Sequence, residues 1–315
     1  MSLDLEKFLE AGGDSAIAEK ERAKIPAFRI ADSNGRGLGA FTVRPLKRGD
    51  LILTESPLFS VRGHEVLSTI KALPLHKCQQ FLSLHNGHAD SGLFKNPLIG
   101  TYQTNSIAMD DELAGIFLQA SRFNHSCSPN ARYSWNSTLQ HIRIHALLDI
   151  PIGDEIFVSY LSARNVYGST RQARKAQLSR FGFVCTCAAC SLQGAAGAAS
   201  DDRRTEVARL WESIPWFPPN RTWDRLSALV RAIHLLQEEG YAADYDDFTN
   251  DAATICAFHS DWVSARYWAT KTYKTRVAEF GEDRPRAQEV RPTYLDPKLF
   301  SMAGQGLRQQ FTVRL

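Results

Sequence analysis

The chain lacks any apolar run of the roughly eighteen residues that a membrane-spanning helix needs. Its opening, MSLDLEKFLE, has no apolar stretch behind a basic start, so a secretory leader is not expected. There is little excess of either charge: 37 basic against 34 acidic residues leave a net +3, too balanced to argue for nucleic-acid binding by composition. Cysteine is scarce as well. Six in 315 residues do not make a disulfide scaffold, and three of them crowd into Cys185, Cys187 and Cys190. What is present is 43% apolar residues, enough for a folded core of one large domain or two ordinary ones.

Residues 1–24 read as an N-terminal helical extension. From residue 25 the sequence AFRIADSNGRGLGAFTVRPLKRGDLILTESPLFSV alternates apolar and polar residues in short runs split by Gly, Pro and Asn, the pattern of short strands and tight turns. Residues 61–100 lose that alternation and read as an insert with one or two short helices. A helix is expected over residues 111–119. ARYSWN, TLQHIRIHALLDI and EIFVSY then read as strands, giving a β domain over residues 25–161. Residues 162–180 hold Arg164, Arg171, Arg174, Lys175 and Arg180 and no acid, and read as a basic helix whose charges form a solvated face. The cysteine cluster closes the segment 162–192. The small-residue stretch 193–201 reads as a linker, 202–285 as a helical domain with apolar residues at i, i+3 and i+4, and 286–315 as a partly extended tail. Between Glu238 and Asp261 lie seven acidic and no basic residues, a run that reads as a solvated face or loop.

CTCAAC, residues 185–190, is a Cys-x-Cys-x-x-Cys arrangement. Zinc prefers four thiolates in a tetrahedron, and three close cysteines leave one position for a distant ligand. Cys127, Cys78, Cys256 or a histidine can fill it. Cys127 is favoured because it sits in the tight segment NHSCSPN, whereas Cys78 and Cys256 lie in helical patterns that suit small buried apolar residues. NHSCSPN is dense in side chains that bond locally and makes poor helix and poor strand. Asn124 and His125 suit either the polar edge of a ligand or an Asx-turn. Tyr160, ending the strand GDEIFVSY, is an ordinary strand aromatic but for its place shortly before the cysteines.

The motifs NGRGLGAF, NHSCSPN, GDEIFVSY and FVCTCAAC, in this order over about half the chain, resemble the SET-domain protein methyltransferases, and most closely their SET-and-MYND branch. One departure is clear: residues 62–100 hold a single cysteine, Cys78, which cannot build the MYND zinc finger that the branch carries there. The resemblance implies a mainly β SET domain with short strands and a knotted, β-clip type core, a zinc-binding post-SET segment and an α-helical C-terminal domain. It implies S-adenosylmethionine as methyl donor, with Asn34, Gly35, Arg36, Gly37 and Leu38 approaching it through backbone. It also places Asn105 at the donor's amino-acid end, Asn124 and His125 at its adenine and methionine moieties, and Phe183 against the adenine. Tyr160 would be the active-site tyrosine, and Cys127, Cys185, Cys187 and Cys190 would hold one structural zinc ion.

The reaction so implied is transfer of a methyl group to the ε-amine of a lysine in a protein, histone or non-histone. The enzyme would be a monomer of the nucleus or cytoplasm, not secreted, with no membrane or nucleic-acid partner. The helical region would close one side of the substrate cleft, where the acidic run 238–261 suits a basic, lysine-containing peptide by charge. Three other readings stay open: a non-catalytic SET-fold scaffold, a methyltransferase acting on a small-molecule amine, and nucleic-acid binding through the basic stretch 164–180.

Overall fold

The protein is described from a computed structural model, covering residues 25–218, 220–241 and 245–311. The extension expected over residues 1–24 lies outside the described residues. Among those described, ten short strands form three small sheets. In chain order they are β1 (Phe28–Asp32), β2 (Leu38–Thr42), β3 (Leu51–Glu55), β4 (Phe59–Arg62), β5 (Ile107–Ala108), β6 (Leu113–Ile116), β7 (Asn124–His125), β8 (Ala131–Asn136), β9 (His141–Ala146) and β10 (Glu155–Val158).

The sheet that organises the candidate site has the order β1-β2-β10-β7. β1 and β2 form a hairpin running from Phe28 opposite Thr42 to Asp32 opposite Leu38. β2 then pairs antiparallel with β10, placing Glu155 opposite Phe41 and Ile156 opposite Ala40. β10 pairs parallel with β7, with Phe157 beside Asn124 and Val158 beside His125. Three segments far apart in sequence thus become neighbours on one sheet. The other sheets have the orders β3-β9-β8 and β4-β6-β5. In β9, Ile142, Ile144 and Ala146 are buried on one face, and His145 is buried as well. The three apolar residues join Phe117, Phe123, Ile156 and Val158 in the core between the sheets. Each of the Ile, Val and Phe side chains contributes about 1.5–3 kcal/mol of burial.

The insert does carry short helices, Val66–Lys71 and Leu75–Leu82. They share a small core of Phe59, Val61, Phe81 and Tyr102 with β4 and the following helix Pro97–Asn105. That last helix starts where Asn96 accepts a bond from Leu98 N at 3.0 Å, just ahead of Pro97. The helix expected over residues 111–119 does not form. Leu113–Ile116 is instead strand β6, held between β4 and β5. Its two partners supply the backbone bonds, so tertiary pairing overrides a local preference that is weak over so short a run.

Three further expectations change. The basic stretch 162–180 divides into helices Ala163–Tyr167 and Arg171–Leu178, and Arg174 in the second is fully buried. The supposed linker 193–201 lies almost wholly in the helix Gly194–Ser213. Alanine is the best helix former, and Ser200 and Arg204 of the same helix are buried, so the stretch is packed structure. The expected tail begins as another helix, Pro285–Leu295.

With Thr222–Glu238, Tyr245–Phe258 and Trp262–Phe280, these helices form a region whose core is continuous with Cys127, Cys185, Cys187, Cys190, Leu161 and Tyr167. Part of the acidic run is absorbed inside this region. Glu239 binds Arg203 and Arg204, Asp246 binds Arg276 and Arg286, and Asp251 binds Arg225. Asp261 caps the helix that follows it, accepting from Ser264 N at 3.2 Å. Glu239, Asp246 and Asp261 are thus buried structure and not a solvated face, while Glu238 and Asp247 stay exposed. Among the described residues no helix is long and apolar enough to cross a membrane.

Candidate active site

The NGRGL turn joins β1 to β2 and presents its backbone outward. Asn34, Gly35 and Gly37 have positive φ, and Asn34 through Leu38 are exposed. The turn is closed by Ser33 N donating to Gly37 O at 2.7 Å. One carboxylate ties it to the NHSC segment. Glu155, at the start of β10, accepts from Ser33 Oγ at 2.8 Å and from Asn124 Nδ2 at 2.8 Å, and lies 3.5 Å from Arg36 Nη2. Asn124 Nδ2 also reaches Leu38 O at 3.2 Å. The approach is so close that a Cβ on Gly39 would overlap the Glu155 carboxylate, which would have to move off its partners to admit one. Sequence reading missed Glu155. It stands inside a quoted motif, yet only the β2–β10 register reveals what it faces.

Four cysteines meet behind β7. The sulfurs of Cys127, Cys185, Cys187 and Cys190 all lie within 4.8 Å of one another, and all four residues are buried. Cys127 Sγ is 3.6 Å from Cys190 Sγ, and Cys127 N donates to Cys187 Sγ at 3.4 Å. A zinc ion with bonds of about 2.3 Å spaces tetrahedral thiolates by about 3.8 Å, so the four sulfurs suit that ion and their chemistry matches its preference. Hydrogen bonds from the other thiols and from Cys127 N favour the thiolate at Cys187. Cys78 and Cys256 take no part in the cluster. Two buried arginines surround it: Arg174 Nη2 lies 3.9 Å from Cys190 Sγ, and Arg204 Nη1 donates to Cys127 O at 3.2 Å. Nothing in sequence distinguished either from ordinary surface charge.

His125 links the sulfur cluster to Tyr160. Its Nδ1 accepts from Tyr160 N at 2.9 Å, so the ring proton sits on Nε2, which faces Cys127 Sγ at 3.2 Å. Burial holds the imidazole pKa down to about 4, and the ring is neutral at pH 7. With both ring nitrogens engaged, His125 has only its backbone to offer a ligand. The Tyr160 hydroxyl donates to Phe123 O at 2.8 Å, which leaves its oxygen lone pairs for an incoming donor. Burial raises its pKa, keeping it neutral. Phe181 and Phe183 pack around the ring, with centroids 5.2 and 6.0 Å away.

A cavity of about 250 Å³ opens beside Tyr160, lined also by Asn105, Ser121, Tyr133, Val158 and Phe181. Of the residues singled out from sequence, Asn105 and Tyr160 line it. Asn34, Gly35, Arg36, Gly37, Leu38, Asn124, His125 and Phe183 do not line it. The Asn105 side chain donates to His85 O and Thr101 O, both at 2.7 Å, so its amide protons are spent inside the protein. The insert holds the near wall in place. His88 Nε2 bonds to Arg180 O at 2.9 Å, and the backbones of Gly87 and Gly182 touch so closely that neither has room for a side chain.

The family model of the SET domain matches residues 37–161. The histone-lysine N-methyltransferase set5 of Schizosaccharomyces pombe is 27% identical over 280 residues, which are 88% of this chain and 86% of the relative. Human N-lysine methyltransferase SMYD2 is 24% identical over 61% of this chain and 42% of its own length. Human histone-lysine N-methyltransferase SMYD3 is 24% identical over 44% of this chain and 32% of its own length. Residues 37–161 are thus a SET domain, in a chain whose likeness to the set5 and SMYD methyltransferases runs well beyond that domain.

Proposed function

We propose that the protein transfers a methyl group from S-adenosylmethionine to the ε-amine of a lysine in a protein substrate. The observation that carries this reading is the parallel pairing of β7 with β10, which joins His125 to the Tyr160 backbone beside a cavity sized for a side chain. The same sheet brings the outward-facing NGRGL backbone alongside Asn124 through Glu155. We assign Asn34, Gly35, Arg36, Gly37, Leu38, Asn124 and His125 to the donor, with Asn105 and Phe183 at its two ends. Tyr160 stands between donor and acceptor.

The bound donor supplies an activated methyl on a positive sulfur, so the protein's work is positioning. Neutralising a free lysine at pH 7 costs about 4 to 5 kcal/mol. A cavity walled by Tyr133, Val158, Tyr160 and Phe181 lowers that cost by desolvating the ammonium. The neutral Tyr160 hydroxyl, fixed by Phe123 O, accepts from the amine and aims its lone pair. Zinc, bound by Cys127, Cys185, Cys187 and Cys190, would supply a cross-link and no chemistry. It would fix the turn bearing Phe181 and Phe183 to the segment bearing His125.

Tyr160→Phe tests the reading. Transfer of isotopically labelled methyl to protein should fall by about a hundredfold or more, while calorimetric binding of S-adenosylmethionine persists. Wild-type turnover in the variant removes Tyr160 from the mechanism, and no binding of the donor by the native protein sinks the assignment.

A further inference from the structure

The cavity beside Tyr160 continues past Tyr133. A more open cleft of about 400 Å³ shares Ala108 and Tyr133 with it and runs between β8 and the start of helix Pro285–Leu295. Along the combined groove the charged lining residues are four: Arg180 in the first cavity, and Arg132, Arg284 and Arg286 in the second. All are arginine. Two of them are balanced by buried carboxylates, Arg132 by Glu279 at 3.1 Å and Arg286 by Asp246 at 3.0 Å. Arg284 is different. It donates to the carbonyl of Trp135 at 2.6 Å, a neutral partner, so that contact cancels none of its charge. Burial first, then the nearby Arg143, weaken its hold on the proton, and Asp283, itself paired with Arg143, only partly offsets them. Arg180 lies over the Phe181 ring at 4.8 Å, a contact that orients its charge and leaves it uncancelled.

We propose that this arginine-lined cleft binds an acidic residue of the substrate next to the target lysine, so that the enzyme selects lysines in Asp- or Glu-containing segments and disfavours polybasic ones. The inference rests on the lysine methyltransferase reading, which places the lysine in the adjoining cavity. A guanidinium in a partly buried cleft pairs with a carboxylate in a fork, whereas lysine- and arginine-rich flanks meet like charge on both sides of Tyr133. Trp135 and Phe280, which also line the cleft, give the segment an apolar bed.

Three labelled peptides test this, sharing one central lysine and flanked by Asp and Glu, by Asn and Gln, or by Arg. Fluorescence anisotropy with the full chain should rank them acidic, neutral, basic. One charge-assisted contact predicts about a tenfold gap between the first two, shrinking as salt rises. Arg284→Gln should bring the acidic peptide close to the neutral one and leave the neutral one unchanged. Equal binding of acidic and neutral peptides, or tightest binding of the basic one, overturns the inference whether or not the variant folds, because the ranking is made on the native protein. Labelled methyl transfer to the same peptides separates the two readings. Preference without transfer keeps the acidic cleft and sinks the methyltransferase assignment. Transfer without preference does the reverse.

Discussion

Glu155 carries the sharpest test of how the donor-side backbone is held. Its side chain is 7% exposed and accepts from Ser33 and Asn124 while facing Arg36. Glu155→Ala leaves the Ser33 hydroxyl, on a residue 2% exposed, without that acceptor. An orphaned buried hydroxyl costs about 1–3 kcal/mol. Asn124 keeps Leu38 O at 3.2 Å and loses only part of its bonding. Arg36 is 40% exposed and its pair contributes little. The expected loss is about 2–4 kcal/mol in equilibrium urea unfolding. It should come with weaker calorimetric binding of S-adenosylmethionine, because the NGRGL turn loses its anchor. The same contact predicts a coupling too. Gly39→Ala alone forces a Cβ onto the Glu155 carboxylate and should destabilise, yet in the Glu155→Ala background that overlap is gone and only Asn124 Nδ2, at 3.0 Å, must give slightly. The double-mutant cycle should therefore show at least about 1 kcal/mol of non-additivity. Additive effects of the two substitutions would refute the claim that this carboxylate pins the turn.

Other outcomes follow from the same geometry. Removing metal with a chelator, or Cys185→Ser, should lower both melting temperature and methyl transfer, since Cys127 and Cys187 would no longer be tied; full activity in a preparation shown to be metal-free by elemental analysis would contradict this. Arg204→Met should destabilise by about 3–5 kcal/mol because it strips Glu239, Val166 O and Cys127 O of one buried partner, and a melting curve like the wild type's would argue against that role. His145 is buried with its pKa lowered from 6.5 to about 4, first by desolvation and then by Arg143. The folded chain refuses a proton that the unfolded chain accepts, so stability is full above pH 6.5 and falls as pH drops towards 4, by up to about 3 kcal/mol. Unfolding of His145→Leu should lose that part of the slope between pH 6.5 and 4; an unchanged slope would exonerate the residue.

Much of the site is legible locally and some is not. EIFV alternates because one face is buried, and Ile142 and Ile144 of HIRIHA do the same, whereas ARYSWN is buried only at its two ends; alternation is a property of neighbouring residues. The Ala-rich stretch after the cysteines misleads because small side chains mark linkers and helix interiors alike, and only burial of Ser200 and Arg204 separates them. Leu113–Ile116 misleads for the opposite reason, its strand being imposed by β4 and β5. Arg174, Glu239 and Asp246 looked like solvated charge. Whether a charge meets water or a buried partner depends on what packs over it, and Asp246 lies far from Arg276 and Arg286 in sequence.

The sequence by itself determined the ligand chemistry and the order of the motifs. Three cysteines within six residues and a tight NHSC turn can be read from residue type and spacing. Only the tertiary structure decided that Cys127 completes the set, that Glu155 joins two distant loops and that arginines alone supply the charge along the groove. The physical reason is range. Propensity and periodicity act over a few residues, whereas the parallel pairing of β7 with β10 and the docking of helices on the sheets are set by the burial of the whole core.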